Sequence, residues 1–377
     1  MQHAHVTTTL VLIGVLSAAL ILRKLREPLH EIQRIRISTR DRFTRPAATF
    51  VQHIMDGTKR PAGVPMKAFM YDCFRHDVAR GKLAENPRIP RHDGFLAGAA
   101  PSQRLRLVSF NVHFFQMGYS GVELGDSRVP VLALIAELHP DLMLLQEVPQ
   151  SVLPDVTARL AAIGFPHCVA AGSADAHVLD KKLKSFPGER LHVVLASRLP
   201  LLSSEAVPML DGHAAFAEVD LSAAATPNAR RRLLVYTLHL SVRCEASKRR
   251  EEVEAVLHDA AGRAAADAPM IVCGDFNQPN ECDYPEAEWA AIAKDMSFAK
   301  LPLTDGAMDA MRKRSFAPSW EVAETPRPLA ASSAWNGAVV DYCYTRLPAH
   351  SAMAVEATYM YHTELSDHLP LVVDLRV

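Results

Sequence analysis

The sequence predicts an α/β fold in which β-sheets are covered by helices, and three observations support this class. Of the 377 residues, 49% are hydrophobic and 22% are charged, which is typical of a globular chain with a large core. From residue 105 onward, short apolar runs alternate with segments that have helical spacing. Strands dominate toward the C-terminus, and this order favours a mixed sandwich of sheets with helices outside.

The first predicted elements of this region are a strand, a helix and a second strand. "LRLVSFN" alternates apolar and polar residues and ends at Asn111, and "RVPVLALIAEL" has the spacing of a helix. "DLMLLQEV" is a continuous apolar run that leads to Glu147, as expected of a strand that is buried on both faces. A helix at about residues 152–163 and strands near residues 192–197 and 214–221 follow.

The later elements each carry a polar side chain close to one end. "RRLLVYTLHL" is a predicted strand with His239 near its end, and the charged segment "EASKRREEVEAVLHDAAG" is a predicted helix. The basic residues 248–250 in this helix are interpreted as a solvated face. Asp275 follows the apolar strand of "MIVCGDFNQPN", Asp341 lies in the strand "AVVDYCYTR", and His368 precedes the last strand in "LSDHLPLVVDL".

Together these strand ends form a candidate site. Buried strands can bring polar side chains from their ends into one cleft, where ligand sites commonly form. The candidates each carry a carboxylate, an amide or an imidazole, and they are Asn111, Glu147, His239, Asp275, Asn277, Asp341, Asp367 and His368. The alternative for "GDFN" taken alone is a plain turn, because Asp and Asn favour turns and Gly supplies backbone freedom.

Carboxylates that converge in one cleft repel one another and raise each other's pKa unless a cation neutralises them. A set of oxygen ligands without clustered Cys or His suits a hard cation, with Mg²⁺ first and Mn²⁺ second. Mg²⁺ prefers one or two protein carboxylates together with waters and the phosphate oxygens of a substrate. The residues therefore favour cleavage of a phosphate ester.

The chain resembles the endonuclease/exonuclease/phosphatase superfamily, whose relatives include DNase I. The matching strings occur in the family's order between about residues 105 and 377, and they are "SFNVH", "DLMLLQEV", "LASRLPL", "TLHLS", "VCGDFNQP", "VVDYCYTR" and "LSDHLPL". One three-residue string is a weak signal, whereas several strings in order are a strong one. The resemblance implies a four-layer α/β sandwich with two packed mixed β-sheets flanked by helices.

The resemblance implies a metal site and a hydrolytic group beside it. Glu147 resembles the family's principal Mg²⁺ ligand, and Asn111 and Asp367 resemble the residues that complete or orient the metal shell. His113, two residues after Asn111, is interpreted as a packed or exposed histidine more readily than as a phosphate ligand.

The hydrolytic group implied by the resemblance has five members. Asp275 resembles the residue that aligns or deprotonates the attacking water, and Asn277 resembles a donor to the phosphoryl oxygens. His368 paired with Asp341 resembles the family's His–Asp dyad, and His239 resembles its second histidine on the phosphate side. A histidine held by a carboxylate has a fixed tautomer and a stabilised imidazolium, which suits phosphate contact or proton transfer.

The sequence divides into residues 1–26, a hydrophobic anchor or targeting segment, residues 27–103, a basic and Pro-rich linker region, and residues 104–377, the catalytic domain. The run at residues 6–22 carries no charge, and as a helix it would span roughly 25 Å of a membrane. Basic residues follow this run, so the positive-inside rule predicts a membrane-anchored protein with its catalytic domain facing the cytosol. Organelle targeting, to mitochondria, is the alternative.

The predicted function is that of a membrane-tethered, Mg²⁺-dependent phosphodiesterase. Residues 1–60 carry ten basic and four acidic residues, which leaves 31 basic against 38 acidic in the remainder. An acidic body gives no general attraction for nucleic acid, so a phospholipid substrate is slightly favoured over nucleic acid. The alternatives are an organelle-targeted DNA or RNA nuclease and a catalytically inactive binding scaffold of the same fold.

Overall fold

The structure is a computed structural model, and the residues that it describes are 104–116, 125–172, 189–222, 232–242, 247–263, 268–298, 302–304, 306–323, 338–348, 351 and 353–377. The predicted anchor segment at residues 1–26, with its hydrophobic helix, and the predicted linker region at residues 27–103 lie outside the described residues. The bounds of these two segments stay predictions.

The described strands form two sheets of six strands each. They are β1 (Arg104–Asn111), β2 (Leu142–Pro149), β3 (His167–Gly172), β4 (Leu191–Ser197), β5 (Leu201–Val207), β6 (His213–Asp220), β7 (Arg232–His239), β8 (Met270–Asp275), β9 (Ala317–Pro318), β10 (Asp341–Arg346), β11 (Ala354–Met360) and β12 (Leu371–Arg376). The strand order is β11-β12-β1-β2-β4-β3 in one sheet and β5-β6-β7-β8-β10-β9 in the other.

Each sheet has a parallel pair at its centre and antiparallel strands around it. β1 and β2 are the parallel pair of the first sheet, and β7 and β8 are the parallel pair of the second. Their outer neighbours β12, β4, β6 and β10 all run antiparallel to them. Both sheets are therefore mixed, and the predicted sandwich of two mixed sheets is confirmed.

Helices pack on the sheets and on the loops around them. They are α1 (Arg128–Leu138), α2 (Leu153–Ala162), α3 (Lys248–Arg263), α4 (Glu286–Phe298), α5 (Ala307–Lys313) and α6 (Ser319–Val322). α1 and α2 pack with Val108 and Phe110 of β1 in one apolar core, and α3 packs with the second sheet in another. The layers give the four-layer arrangement that the sequence predicted.

Alternation along the strands separates the two cores. In β1, Leu105 and Leu107 belong to the core shared with the second sheet, whereas Val108 and Phe110 face α1 and α2. All four side chains are buried, and complete burial of such a side chain contributes about 1.5–3 kcal/mol. Since both faces of the central strands are covered, polar side chains concentrate at the strand ends, where the candidate site lies.

Close contact between β7 and β8 leaves no room for a side chain at Gly274. A Cβ atom there would lie 2.0 Å from the carbonyl oxygen of Leu238, and the φ angle is +151°. Because the obstructing atom is backbone, we expect Gly274→Ala to lower the free energy of unfolding by about 3 kcal/mol or more, measured by urea denaturation. Gly262→Ala is the control, since nothing lies within 4 Å, and it should raise stability by up to about 1 kcal/mol. Equal stabilities of the two variants would contradict this packing.

The prediction of a membrane-anchored location, with organelle targeting as its alternative, is wrong. The helices that the structure describes contradict it. None of these helices combines the length and the apolar composition needed to cross a bilayer. The longest, α3, has 16 residues, so it would span only about 24 Å, and it is rich in charge. The apolar run at residues 6–22, on which the prediction depended, lies outside the described residues.

Candidate functional site

The candidate site lies where the central parallel pair of each sheet ends. β1 ends at Asn111, β7 at His239 and β8 at Asp275. His239 is the register partner of Asp275, and Asp275 is the register partner of Asp341 on β10. Three neighbouring strands therefore present polar side chains side by side, and the end of β1 faces them from the other sheet.

Asp275 is the centre of this group and is almost completely buried. Its Oδ2 atom accepts a hydrogen bond of 2.9 Å from Asn111 Nδ2, and its Oδ1 atom accepts one of 2.8 Å from the backbone N–H of Asn277. The Nε2 atoms of His239 and His368 lie 3.6 Å and 3.8 Å from the same Oδ2 atom. Asp275 therefore has a fixed orientation and faces two imidazoles.

His368 and Asp341 form the predicted pair. Nδ1 of His368 lies 2.8 Å from Oδ2 of Asp341, and both side chains are buried. Burial alone would lower the pKa of His368, but the charges of Asp341 and Asp275 outweigh it and hold the pKa well above its ordinary value. The pair is thus an imidazolium held by one carboxylate, with Nε2 directed toward Asp275.

A β-bulge directs Glu147 into the site. In β2, Met143 and Leu145 face α1 and α2, so strict alternation would send residue 147 to the same side. The register with β4 shifts between Leu145 and Val148, and Glu147 has a left-handed φ of +59°. Bulges re-aim side chains in this way. Oε1 of Glu147 consequently lies 3.7 Å from Nε2 of His239.

His113 is a residue of the site that the sequence interpretation missed. Its Nδ1 atom lies 3.1 Å from Oδ2 of Asp367 and 3.4 Å from Oε2 of Glu147, and its backbone N–H donates to Oδ1 of Asn111. It is buried, in agreement with the interpretation of a packed histidine, but its polar neighbours are carboxylates of the site. The usable signal was its position two residues after Asn111, but its left-handed φ of +39° could not be foreseen.

Asn277 follows Asp275 in a left-handed conformation, with a φ of +50°. Its Nδ2 atom donates a hydrogen bond of 2.9 Å to the carbonyl oxygen of Leu240, immediately after β7. One of the two N–H groups of the amide is therefore engaged in joining the loops after β7 and β8. Asn tolerates this conformation better than most residues, which explains the residue type at this position.

The structure brings all eight predicted site residues into one connected group. Asp367 and Glu147 both contact His113. Glu147 also contacts His239, which in turn contacts Asp275. Asn111 and Asn277 are hydrogen bonded to Asp275. Asp341 contacts His368, which contacts Asp275. Their roles in catalysis stay predictions.

The family model of the Endonuclease/Exonuclease/phosphatase family matches residues 108–368, more than half of the chain. The chain belongs to this family. All eight candidate residues lie inside the matched range. As a member of the endonuclease/exonuclease/phosphatase family, the chain is a metal-dependent phosphoester hydrolase, and the predictions of the family and of an enzyme are confirmed.

Solved structures of this family show the same fold. An endonuclease/exonuclease/phosphatase from Beutenbergia cavernae DSM 12333 is 21% identical with a TM-score of 0.53, and the match covers 73% of this chain and 72% of that chain. The human Nocturnin catalytic domain, solved with a bound sulfate anion, is 17% identical with a TM-score of 0.52. That match covers 72% of this chain and 93% of the Nocturnin chain. No curated protein gave a significant match.

Two sets of side chains fit the divalent cation that the endonuclease/exonuclease/phosphatase family uses. Asp275, Asp341 and His368 offer ligand atoms that all lie within 4.8 Å of one another, and His368 would have to lose its proton to bind a metal there. On the other side of the site, Oε2 of Glu147 is buried and accepts no hydrogen bond from the described residues, and Asp367 lies beside the same histidine nitrogen. A buried carboxylate oxygen without a hydrogen bond is costly unless a cation neutralises it, so the donor chemistry fits a metal.

The first turn of α3 fixes the loops around the site. Glu252 accepts hydrogen bonds from the backbone N–H groups of Gly212 and Ser241, at 2.8 Å and 2.9 Å. Arg249 donates 2.7 Å to Oε1 of Gln278, the residue after Asn277. Arg249 is almost completely buried, so its interpretation as part of a solvated basic face is wrong. Its charge serves to hold the loop that carries the Asn277 amide.

Buried His213 gives a pH dependence that can be measured. Burial, and then the neighbouring His239 at a ring distance of 5.8 Å, lower the pKa of His213 to about 4 from its ordinary 6.5. Between these values the unfolded chain binds a proton at this residue and the folded chain does not. The free energy of unfolding should therefore fall as the pH drops from 6.5 toward 4, by about 3 kcal/mol in total. Urea denaturation at several pH values should show this slope in the parent and a smaller slope in His213→Leu; identical slopes would contradict the assignment.

Proposed function

We propose that the chain hydrolyses phosphodiesters with Mg²⁺ or Mn²⁺, which Glu147, Asp367 and Asn111 would hold. The observation that carries the proposal is the buried Glu147 oxygen that accepts no hydrogen bond from the described residues and lies near His113, which also contacts Asp367. A cation in this place would neutralise nonbridging oxygens of the phosphate and stabilise the leaving alkoxide. Oxygen ligands are those that Mg²⁺ prefers.

Asp275 is proposed to orient the attacking water and accept its proton. Both of its oxygens accept hydrogen bonds, from Asn111 Nδ2 and from the Asn277 backbone, so the carboxylate cannot rotate freely. A base that is held in one orientation keeps the water in line with the phosphorus, which removes much of the entropic barrier. Proton transfer by a positioned group typically contributes 10²–10⁴-fold.

The imidazolium of His368 is proposed to donate a hydrogen bond to a phosphoryl oxygen. Its raised pKa keeps it protonated at neutral pH, and Asp341 fixes the ring through Nδ1 so that Nε2 faces the reaction centre. His239 and Asn277 are proposed as further donors on the phosphate side. Fixed donors that meet the charge of the transition state act more strongly in a buried site than in water.

A phosphodiester matches this arrangement because it needs one oriented water, neutralisation of two nonbridging oxygens and stabilisation of one leaving oxygen. The sulfate anion bound to the Nocturnin catalytic domain has the tetrahedral shape of a phosphate group, and it supports the same class of ligand for this chain. The substrate is proposed to be either nucleic acid or a phospholipid, and one experiment separates them.

The full chain is to be assayed with Mg²⁺ or Mn²⁺ on single-stranded and duplex DNA, RNA, sphingomyelin and phosphoinositides. We expect turnover of one class, and its loss on addition of EDTA and in Glu147→Ala and His368→Ala. The matched controls are Glu254→Ala and His258→Ala, because both side chains are exposed on α3. Turnover that survives in Glu147→Ala would overturn the proposal. Metal binding without turnover of any substrate would favour the inactive binding scaffold instead.

A further inference from the structure

Gln146 is a buried polar residue between the two sheets, and the proposed chemistry does not use it. It is completely buried, and its Nε2 atom donates hydrogen bonds of 3.1 Å to Ser109 Oγ and 3.2 Å to Thr237 Oγ1. Ser109 lies on the neighbouring strand β1 of the same sheet, whereas Thr237 lies on β7 of the other sheet. The Gln146 amide therefore joins the two sheets through a hydrogen bond inside their shared core, which is mostly apolar.

This inter-sheet hydrogen bond lies directly below the site. Thr237 is two residues before His239 in β7, so the two side chains point to the same side of the sheet. Gln146 directly precedes Glu147 in β2. Gln146 contacts Thr237, and Glu147 contacts His239, at 3.7 Å from Oε1 to Nε2. Two consecutive residues of β2 therefore contact the same strand of the other sheet.

A regular strand could not make both contacts, because consecutive side chains point to opposite faces. With Gln146 facing β7, regular geometry would turn Glu147 toward α1 and α2. The register with β4 shifts between Leu145 and Val148, and Glu147 takes a left-handed φ of +59°. This conformation is unfavourable for Glu and persists only where the surrounding structure fixes it. The bulge in β2 therefore needs contacts that hold it.

We propose that Gln146 is a positioning residue that holds the bulge in β2 and thereby directs the Glu147 carboxylate into the site. Its Nε2 atom donates to side chains on two strands that belong to different sheets, so the amide has one orientation. A buried polar group with its partners in place specifies one arrangement of the chain, whereas an apolar side chain can accept several. The inference rests on the proposed function, since it concerns how Glu147 is held for that chemistry.

The first experiment locates Glu147 without measuring turnover. Gln146→Met keeps the length of the side chain and removes the amide. A crystal structure of the full chain with this substitution should show a negative φ at Glu147 and a carboxylate that no longer contacts His239. A structure in which Glu147 keeps both its left-handed φ and this contact would overturn the proposal.

The second experiment measures kcat and KM on the substrate found with the parent. Gln146→Met should lower kcat by about 10–100-fold and change KM by less than about 3-fold, since Glu147 is misplaced rather than removed. Thr237→Val removes only the hydroxyl that accepts from Gln146, so kcat should fall by about 3–10-fold. Thr237→Ser keeps a hydroxyl and should keep kcat within about 2-fold of the parent. This difference reports on the hydrogen bond, because a loss of folded protein would not depend on the hydroxyl.

Thr358→Val is the matched control for the loss of a buried threonine hydroxyl. Thr358 lies on β11, and its Oγ1 atom makes no hydrogen bond with the described residues, so kcat should be unchanged. If Gln146→Met does not fold, the two Thr237 variants decide, and an equal kcat in both would overturn the proposal. If the parent hydrolyses no substrate, the proposed function fails, and the crystal structure still decides the role of Gln146. A displaced Glu147 with an unchanged kcat would contradict the role of Glu147 and confirm that of Gln146.

Discussion

A Glu147→Gln variant is expected to lose at least about 10³-fold in kcat/KM, without a loss of stability. The substitution keeps the size of the side chain and removes the charge that is proposed to hold the cation. Charge neutralisation of a phosphoryl group by a bound metal is worth several kcal/mol, and each 1.36 kcal/mol is tenfold in rate. The measurement is steady-state hydrolysis of the substrate found with the parent, at saturating Mg²⁺ or Mn²⁺.

The free energy of unfolding should rise, while activity falls, when Glu147 is replaced by glycine. Glu147 has a left-handed φ of +59° and a buried oxygen that accepts no hydrogen bond from the described residues, so glycine at this position removes backbone strain and a costly buried charge. Glu147→Gly should raise the free energy of unfolding by up to about 1 kcal/mol and abolish hydrolysis. Glu254→Gln on α3 is the control for removal of an exposed charge. A kcat/KM above one tenth of the parent value in Glu147→Gln would contradict the proposed metal-binding role of Glu147.

The convergence of His239, Asp275 and Asp341 could be predicted because it depends on strand ends alone. Each of these residues follows or begins an apolar run, and the strands that carry them are neighbours in one sheet, in direct register. Apolar alternation also indicated the positions of the central strands, since their two faces belong to two cores. Periodicity therefore determined both the sandwich and most of the site.

Glu147 was predicted as a candidate from its place at the end of a strand, but its orientation, like that of His113, could not be predicted because it depends on a backbone conformation that breaks the alternation. Period-two alternation places Glu147 on the side of α1 and α2, and only the bulge in β2 turns it toward His239. The left-handed turn at His113 likewise has no glycine to mark it in the sequence. Both deviations lie in the site itself, where local preference is expected to yield to function.

Buried Arg249 and Arg106 show a second limit of prediction from sequence. Charged residues are expected to be exposed, and these two are not. Arg249 holds Gln278 beside the site, and Arg106 forms a two-pronged ion pair with Asp374, at 2.6 Å and 2.9 Å. Their partners lie on other elements of the chain, so no local sequence signal marks them. Tertiary contacts alone distinguish these arginines from those on a solvated helix face.

The His368–Asp341 pair should behave as a single unit in a double-mutant cycle. Asp341 is proposed to act through the ring that it holds, by the 2.8 Å contact to Nδ1. His368→Ala and Asp341→Asn are each expected to lower kcat by about 10²–10⁴-fold, which is the usual contribution of a positioned proton donor. The double variant should be no slower than the slower single variant, because the carboxylate has nothing to hold once the ring is gone.

The reason for the loss in Asp341→Asn is electrostatic. In the parent, burial lowers the pKa of His368, and Asp341 with Asp275 more than offsets it. Without the Asp341 charge, burial is opposed chiefly by Asp275, so a smaller fraction of the protein carries the imidazolium at neutral pH. Hydrolysis is to be measured for both single variants and the double variant, with far-ultraviolet circular dichroism to verify folding. Losses that multiply in the double variant would mean that Asp341 acts on the substrate or the metal independently of His368.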